Sequence, residues 1–129
     1  MNTAELLQKY HNIVEGTFND LSDFDFCGVY ILCDKNEDIV YIGSAYARTI
    51  KIRLQQYLRP KDTGNTLGKT IAKKIASTTK FDEEAKSMMQ EAVRIIQNFK
   101  IYAIEHNDLE YQLINLAKPD YNNLGKDED

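Results

Sequence analysis

Residues 27–45 read CGVYILCDKNEDIVYIGSA. Two runs rich in β-branched and aromatic residues, Cys27–Asp34 and Ile39–Ala45, enclose the turn-forming segment Asp34-Lys35-Asn36-Glu37-Asp38. That pattern predicts a β-hairpin. Pairing Cys33 with Asp38 leaves a four-residue turn and sets Tyr30 directly opposite Tyr41 on one face. A slip of one residue would send the two rings to opposite faces. Cys27 and Cys33, six apart on one extended strand, lie roughly 20 Å apart, too far for a disulfide to each other. Two reduced thiols fit a cytoplasmic protein.

Outward from the hairpin, helical periodicity takes over. Arg48–Arg59 predicts a helix with Ile50, Leu54 and Leu58 inward, ended by Pro60. Residues 60–66 read as a loop. Leu67–Ala76 predicts a short basic helix with Leu67, Ile71 and Ile75 on the core side. Asp82 begins a further helix with the inner stripe Ala85, Met88, Met89 and Ala92, where the methionines read as core filler. Phe99–Ile104 predicts a third strand, with a start as early as Val93 left open. Asn107–Ala117 predicts a last helix closed by Pro119. Before the hairpin, residues 3–15 read as an amphipathic helix capped by Thr3, with Leu6, Leu7, Tyr10 and Val14 on one face and Gly16 as its stop. The expectation is an α+β domain: a small, mostly antiparallel three-stranded sheet flanked by helices. Its divisions would be a helical extension over 1–18, the main domain over 19–125 and a frayed acidic tail over 126–129.

The 129 residues are 43% hydrophobic and 28% charged, which suits one globular domain and excludes disordered and fibrous classes. No apolar run approaches the length of a membrane span, and no signal peptide is expected at the N-terminus. The net charge of −4 hides a strong asymmetry. Residues 48–80 hold nine bases (among them Arg48, Arg53, Lys61, Lys69, Lys73 and Lys74) against the single acid Asp62, a balance of +8, while the rest of the chain carries −12. A compact basic segment in an acidic chain points to a phosphate-bearing partner.

Several familiar constellations are missing. There is no phosphate-cradling glycine loop, and His11 and His106 lack cysteine partners for zinc. No serine has a nucleophile-elbow context. What remains unusual is tyrosine, eight in all. On the helix after the hairpin, Arg53 and Tyr57 are four apart and share a face beside the apolar stripe. A guanidinium bordering a core needs a partner. Glu110 lies beside Leu113, Ile114 and Ala117 on the half-apolar side of the last helix. There a carboxylate needs a cation, a donor or a metal. From the residues alone, Asn107 as N-cap with Glu110 three positions on resembles a capping box, and that is the simpler reading.

Gly28-Val29-Tyr30, ten residues, then Tyr41-Ile42-Gly43 resembles the signature of the GIY-YIG nuclease superfamily. Arg53, Tyr57, Glu110 and the ending Pro119-Asp120-Tyr121-Asn122 follow in that family's order, so the resemblance spans residues 27–123. Val29 replaces the usual isoleucine. Tyr57 stands where many members have histidine. The resemblance implies a single-domain, metal-dependent endonuclease that hydrolyses DNA phosphodiesters. One magnesium or manganese ion would be held by Glu110, weakly without DNA. Arg53 would offset charge on the scissile phosphate, and Tyr30 would be the general base, with Tyr41 or Tyr57 assisting. That base role requires nearby cations such as Arg53 to lower the Tyr30 pKa. Asn122 would orient the phosphate or anchor the site. Arg48, Lys61, Lys69, Lys73 and Lys74 would grip the nucleic-acid backbone. DNA is the expected partner, with RNA left open and no membrane. The protein would be a cytoplasmic monomer or homodimer, with or without a separate specificity partner. Two rival readings stand beside this one: a silent nucleic-acid-binding module of the same fold, and a protein–protein adaptor using the acidic surface.

Overall fold

A computed structural model of the chain describes residues 10, 12–61, 64–105 and 120–122. The last helix expected over 107–117, the first part of the expected N-terminal helix and the tail 126–129 lie outside the described residues. The elements run β1 (Val14–Thr17), a 3-10 turn (Ser22–Phe24), β2 (Gly28–Cys33), β3 (Ile39–Ala45), α1 (Ile50–Gln56), α2 (Thr66–Ala76), α3 (Glu83–Ser87), α4 (Met89–Gln97) and β4 (Lys100–Ile104). The strands form one antiparallel sheet in the order β1-β4-β2-β3, flanked by the helices. This is the expected α+β architecture with one strand more.

The extra strand is β1. Its four residues pair with β4 from Val14↔Ala103 to Thr17↔Lys100. The expected helix over 3–15 is thereby corrected at its C-terminal end, and Gly16 sits inside a strand rather than stopping a helix. Within the stretch 1–18 expected as a helical extension, Val14–Thr17 belongs to the sheet. Pairing with β4 satisfies the backbone of this short segment, so tertiary context overrides local preference.

The hairpin forms with a different register. Tyr30 faces Gly43 and Leu32 faces Tyr41, a displacement of two residues from the expected pairing. A bulge between Leu32 and Cys33 lets Cys33 pair with Ile39. Because the displacement is even, Tyr30 and Tyr41 keep a common face. Asp34 closes the turn, its Oδ1 accepting from the amides of Asn36 (2.9 Å) and Asp38 (3.0 Å). Glu37 takes the left-handed conformation there, with φ 65°.

One sheet face, with Tyr30, Leu32, Val40, Ile101 and Ala103, joins Ile50, Leu54, Tyr57, Leu67, Ile71 and Ile96 in the main core. The opposite face carries Val29, Ile31, Ile42, Tyr102 and Ile104, against which Tyr10 and Ile13 pack. α1 is shorter than the expected Arg48–Arg59, starting after the N-cap Thr49. α2 starts one residue before its expected Leu67, capped by Asn65. Leu67 and Ile71 are inward, but Ile75 is 37% exposed, which corrects its core placement. Over the eight residues from Leu67 a straight helix turns its side chain about 80° off the original line. The helix expected from Asp82 breaks at Met88 into α3 and α4. Val93 is helical, so the following strand begins at Lys100. No helix among the described residues is long and apolar enough to cross a membrane.

Candidate active site

Tyr30 projects from β2 into the main core, directly across from Gly43 on β3. A Cβ added at Gly43 would fall onto the Tyr30 ring and hydroxyl, so only glycine leaves room for that ring to lie across β3. Gly28 serves the other side of the same strand: a Cβ there would collide with the Ile104 carbonyl of β4. Tyr41 stands diagonal to Tyr30 on the same face, and the C-cap of α1 brings Tyr57 against both. The ring centroids lie 6.3 Å apart for Tyr30–Tyr41 and 6.1 Å for both Tyr30–Tyr57 and Tyr41–Tyr57, the last pair edge-on. The Tyr30 and Tyr57 hydroxyls are hydrogen-bonded to each other.

Arg53, one turn before Tyr57, holds its guanidinium 5.0 Å from the centre of the Tyr57 ring. Its Nη1 donates to Gln56 Oε1 (2.9 Å) and to the Gly64 carbonyl (3.1 Å), and its Nη2 donates to Thr66 Oγ1 (3.1 Å). The guanidinium that borders the core therefore has partners, as its position beside the apolar stripe requires. The electrostatics run against one part of the sequence expectation. Burial pushes the Tyr30 and Tyr57 hydroxyls well above the usual phenol range. Arg53 acts downward on both, but burial outweighs it. The lowered Tyr30 pKa expected of a general base is therefore corrected: in the free protein both phenols stay protonated. Tyr30 and Tyr57 are at most 1% exposed, while Tyr41 is half-buried and reaches the surface.

Asn122 lies at the outer edge of the sheet. Its Oδ1 accepts from the Ile42 amide and its Nδ2 donates to the Ile42 carbonyl, each at 2.8 Å. Tyr121 donates its amide to the Val40 carbonyl at 2.9 Å. Of the two expectations for Asn122, anchoring is the one with bonds on it. Lys74 reaches the same segment, with Nζ 2.9 Å from the Asp120 carbonyl and over the Tyr121 ring. Lys69 sits over the Phe81 ring, and Lys73 is only 8% exposed. Of the lysines expected to grip the backbone, Lys73 is buried and Lys74 holds a backbone carbonyl. Arg48 and Lys61 are exposed. Glu110, the expected metal ligand, lies outside the described residues.

The sequence reading missed Asn65. This residue is fully buried. Its Oδ1 accepts from the Gly68 amide (2.8 Å) and its Nδ2 donates to the carbonyls of Tyr57 and Arg59, both at 3.1 Å. The available signal was an asparagine just before a helical run, with a glycine three residues later. The glycine matters because a Cβ at Gly68 would come within 2.7 Å of the Asn65 amide.

Among the described residues no three His, Cys, Asp or Glu side chains gather to hold a metal ion. Phenols and a guanidinium suit a phosphate better than a cation. A model of the GIY-YIG catalytic domain matches residues 26–123, and the chain belongs to this family, a nuclease-type fold whose members are typically endonucleases using a divalent metal. A comparison with curated proteins found no match.

Proposed function

We propose that the protein is a divalent-metal-dependent endonuclease acting on DNA. The observation that carries this reading is the convergence of Tyr30, Tyr41 and Tyr57 with the Arg53 guanidinium on one sheet face, inside the family's matched span. Arg53 offsets charge on the scissile phosphate with its planar fork. Tyr41, the partly exposed member, hydrogen-bonds the attacking water, and Tyr30 and Tyr57 fix its ring from behind. Glu110 would hold one magnesium or manganese ion, which supplies Lewis-acid stabilisation of the leaving oxygen. Asn122 holds β3 in place through Ile42. The exposed Arg48 and Lys61 contribute affinity for the backbone. Cys27, just before β2, and Cys33, at its end, lie too far apart to pair with each other, which fits a reducing compartment, the cytoplasm.

The test is nicking of supercoiled plasmid with magnesium or manganese against a chelator, in wild type, Arg53→Ala and Glu110→Ala. Wild type should nick only with metal. Glu110→Ala should fold, bind DNA and not cut. A Glu110→Ala protein that cuts at near wild-type rate would defeat the single-metal reading. DNA binding without cleavage in wild type, across linear, branched and single-stranded DNA, would favour the silent binding module.

A further inference from the structure

We infer that Asn65 and Thr66, at the start of α2, are positioning residues that hold the Arg53 guanidinium in its phosphate-facing orientation. The inference rests on the reading of Arg53 as the group that meets the scissile phosphate. Asn65 is buried in the main body with every polar atom of its amide in use. Its two donated bonds fix the backbone at the end of α1, at Tyr57 and Arg59. Its accepted bond fixes the first turn of α2 at Gly68. The amide thereby closes the segment between the two helices into a set geometry. Gly64 and Thr66 flank Asn65 in sequence, and these two neighbours receive Arg53.

An arginine has five N–H donors. The bonds to Gln56, Gly64 and Thr66 use both Nη1 protons and one Nη2 proton. The Tyr30 hydroxyl is a further hydrogen-bond partner of this guanidinium, so its remaining donors are shared between that phenol and an incoming acceptor. A guanidinium on a flexible stem, left to itself, samples many rotamers, and ordering it during reaction would cost entropy. Anchoring two of those donors to a segment that is itself locked by a buried amide, and a third to Gln56 on the same helix, removes that cost beforehand. Tyr57 shares in this: its carbonyl is held by Asn65 while its ring lies under Arg53. One amide thus sets the backbone behind both Tyr57 and Arg53.

The experiment compares wild type with Asn65→Asp, Thr66→Val and Thr66→Ser. Asn65→Asp keeps a cap oxygen for Gly68 but turns a carboxylate toward two carbonyls. Thr66→Val removes only the acceptor for Nη2 at an exposed position. The first readout is nitrogen-edited NMR of the arginine side chains, with the Arg53 signals assigned by their loss in Arg53→Lys. Wild type should show resolved, slowly averaging Nη protons. They should collapse in Asn65→Asp, and the Nη2 signals should collapse in Thr66→Val and return in Thr66→Ser. The second readout is cleavage. Both impaired variants should lose roughly tenfold to a hundredfold in kcat at little changed KM, the scale of a displacement of about 1 Å at a reacting group. Thr66→Val should do so with an unchanged melting temperature. If Asn65→Asp does not fold, Asn65→Ser takes its place, keeping a cap oxygen and losing both donors. Arg53 signals that are averaged in wild type, or unchanged in the variants, overturn the inference. So does a rate loss that tracks the folded fraction alone. A wild type that cleaves nothing would sink the nuclease reading, while the NMR readout would still accept or reject the tether.

Discussion

At Gly43 the family signature has a steric cause. The residue has no side chain because the Tyr30 ring occupies that space. Gly43→Ala should therefore destabilise the protein by about 1–3 kcal/mol, the usual cost of overpacking, measurable by urea unfolding. It should also displace the Tyr30 hydroxyl from Tyr57 and lower cleavage more than DNA binding. Wild-type unfolding energy in the variant would show that Tyr30 has free room to move. The same two phenols make a pH prediction. Their pKa values are raised in the folded state, so the unfolded chain ionises first. The stability they contribute is complete below about pH 10 and is lost as pH rises through the folded values. Tyr30→Phe should flatten that alkaline loss, seen as a later fall in circular dichroism with rising pH. A normal titration of all eight tyrosines while the fold persists would contradict the burial described here. Residue types were readable in the sequence: Arg53, Tyr57, Tyr30 and Tyr41 stand out by spacing. The raised pKa values of Tyr30 and Tyr57 were not, because burial is a property of the packed core and acts against the cation that the spacing reveals.

At the scale of elements, α2 has a double use that its charge pattern does not disclose. Lys74 holds the 120–122 segment against the body through the Asp120 carbonyl and the Tyr121 ring. Lys74→Ala should lower stability by about 0.5–1.5 kcal/mol in thermal or chemical unfolding, the range for a single hydrogen bond. Arg48→Ala and Lys61→Ala, on exposed positions, should leave stability within about 0.5 kcal/mol. An equal effect of all three on DNA affinity, with none on stability, would return Lys74 to the binding surface. The hairpin and the helices α1 and α2 were legible because alternation, Asx chemistry and the i, i+4 stripe all act locally. The bulge at Leu32/Cys33 was not: it places one extra residue, Val40, between the paired Ile39 and Tyr41, and nothing in the local sequence pattern marks it. β1 was hidden for a different reason. Val14–Thr17 has half-buried and exposed residues in turn, and its backbone finds its partner only when β4 is in place.

For the whole molecule, the division of charge into a +8 segment and a −12 remainder sets the expected response to salt. Binding to DNA should weaken steeply as salt rises, and Arg48→Ala with Lys61→Ala together should reduce the logarithmic slope by about two. An unchanged slope would mean that neither residue meets a phosphate. The sheet order β1-β4-β2-β3 leaves β3 as an outer strand. Its outward amide and carbonyl at Ile42 are filled by a side-chain amide, and its Val40 carbonyl by the Tyr121 amide. An outer strand with such groups vacant is a template onto which another copy can add its own strand, and chains then accumulate as aggregates. Asn122 copies the bonding of a neighbouring strand without being one, so it also acts as a guard of solubility. On that basis the segment that steadies the site keeps separate molecules from zipping together, and its loss would be felt first in the concentration at which the protein stays dispersed.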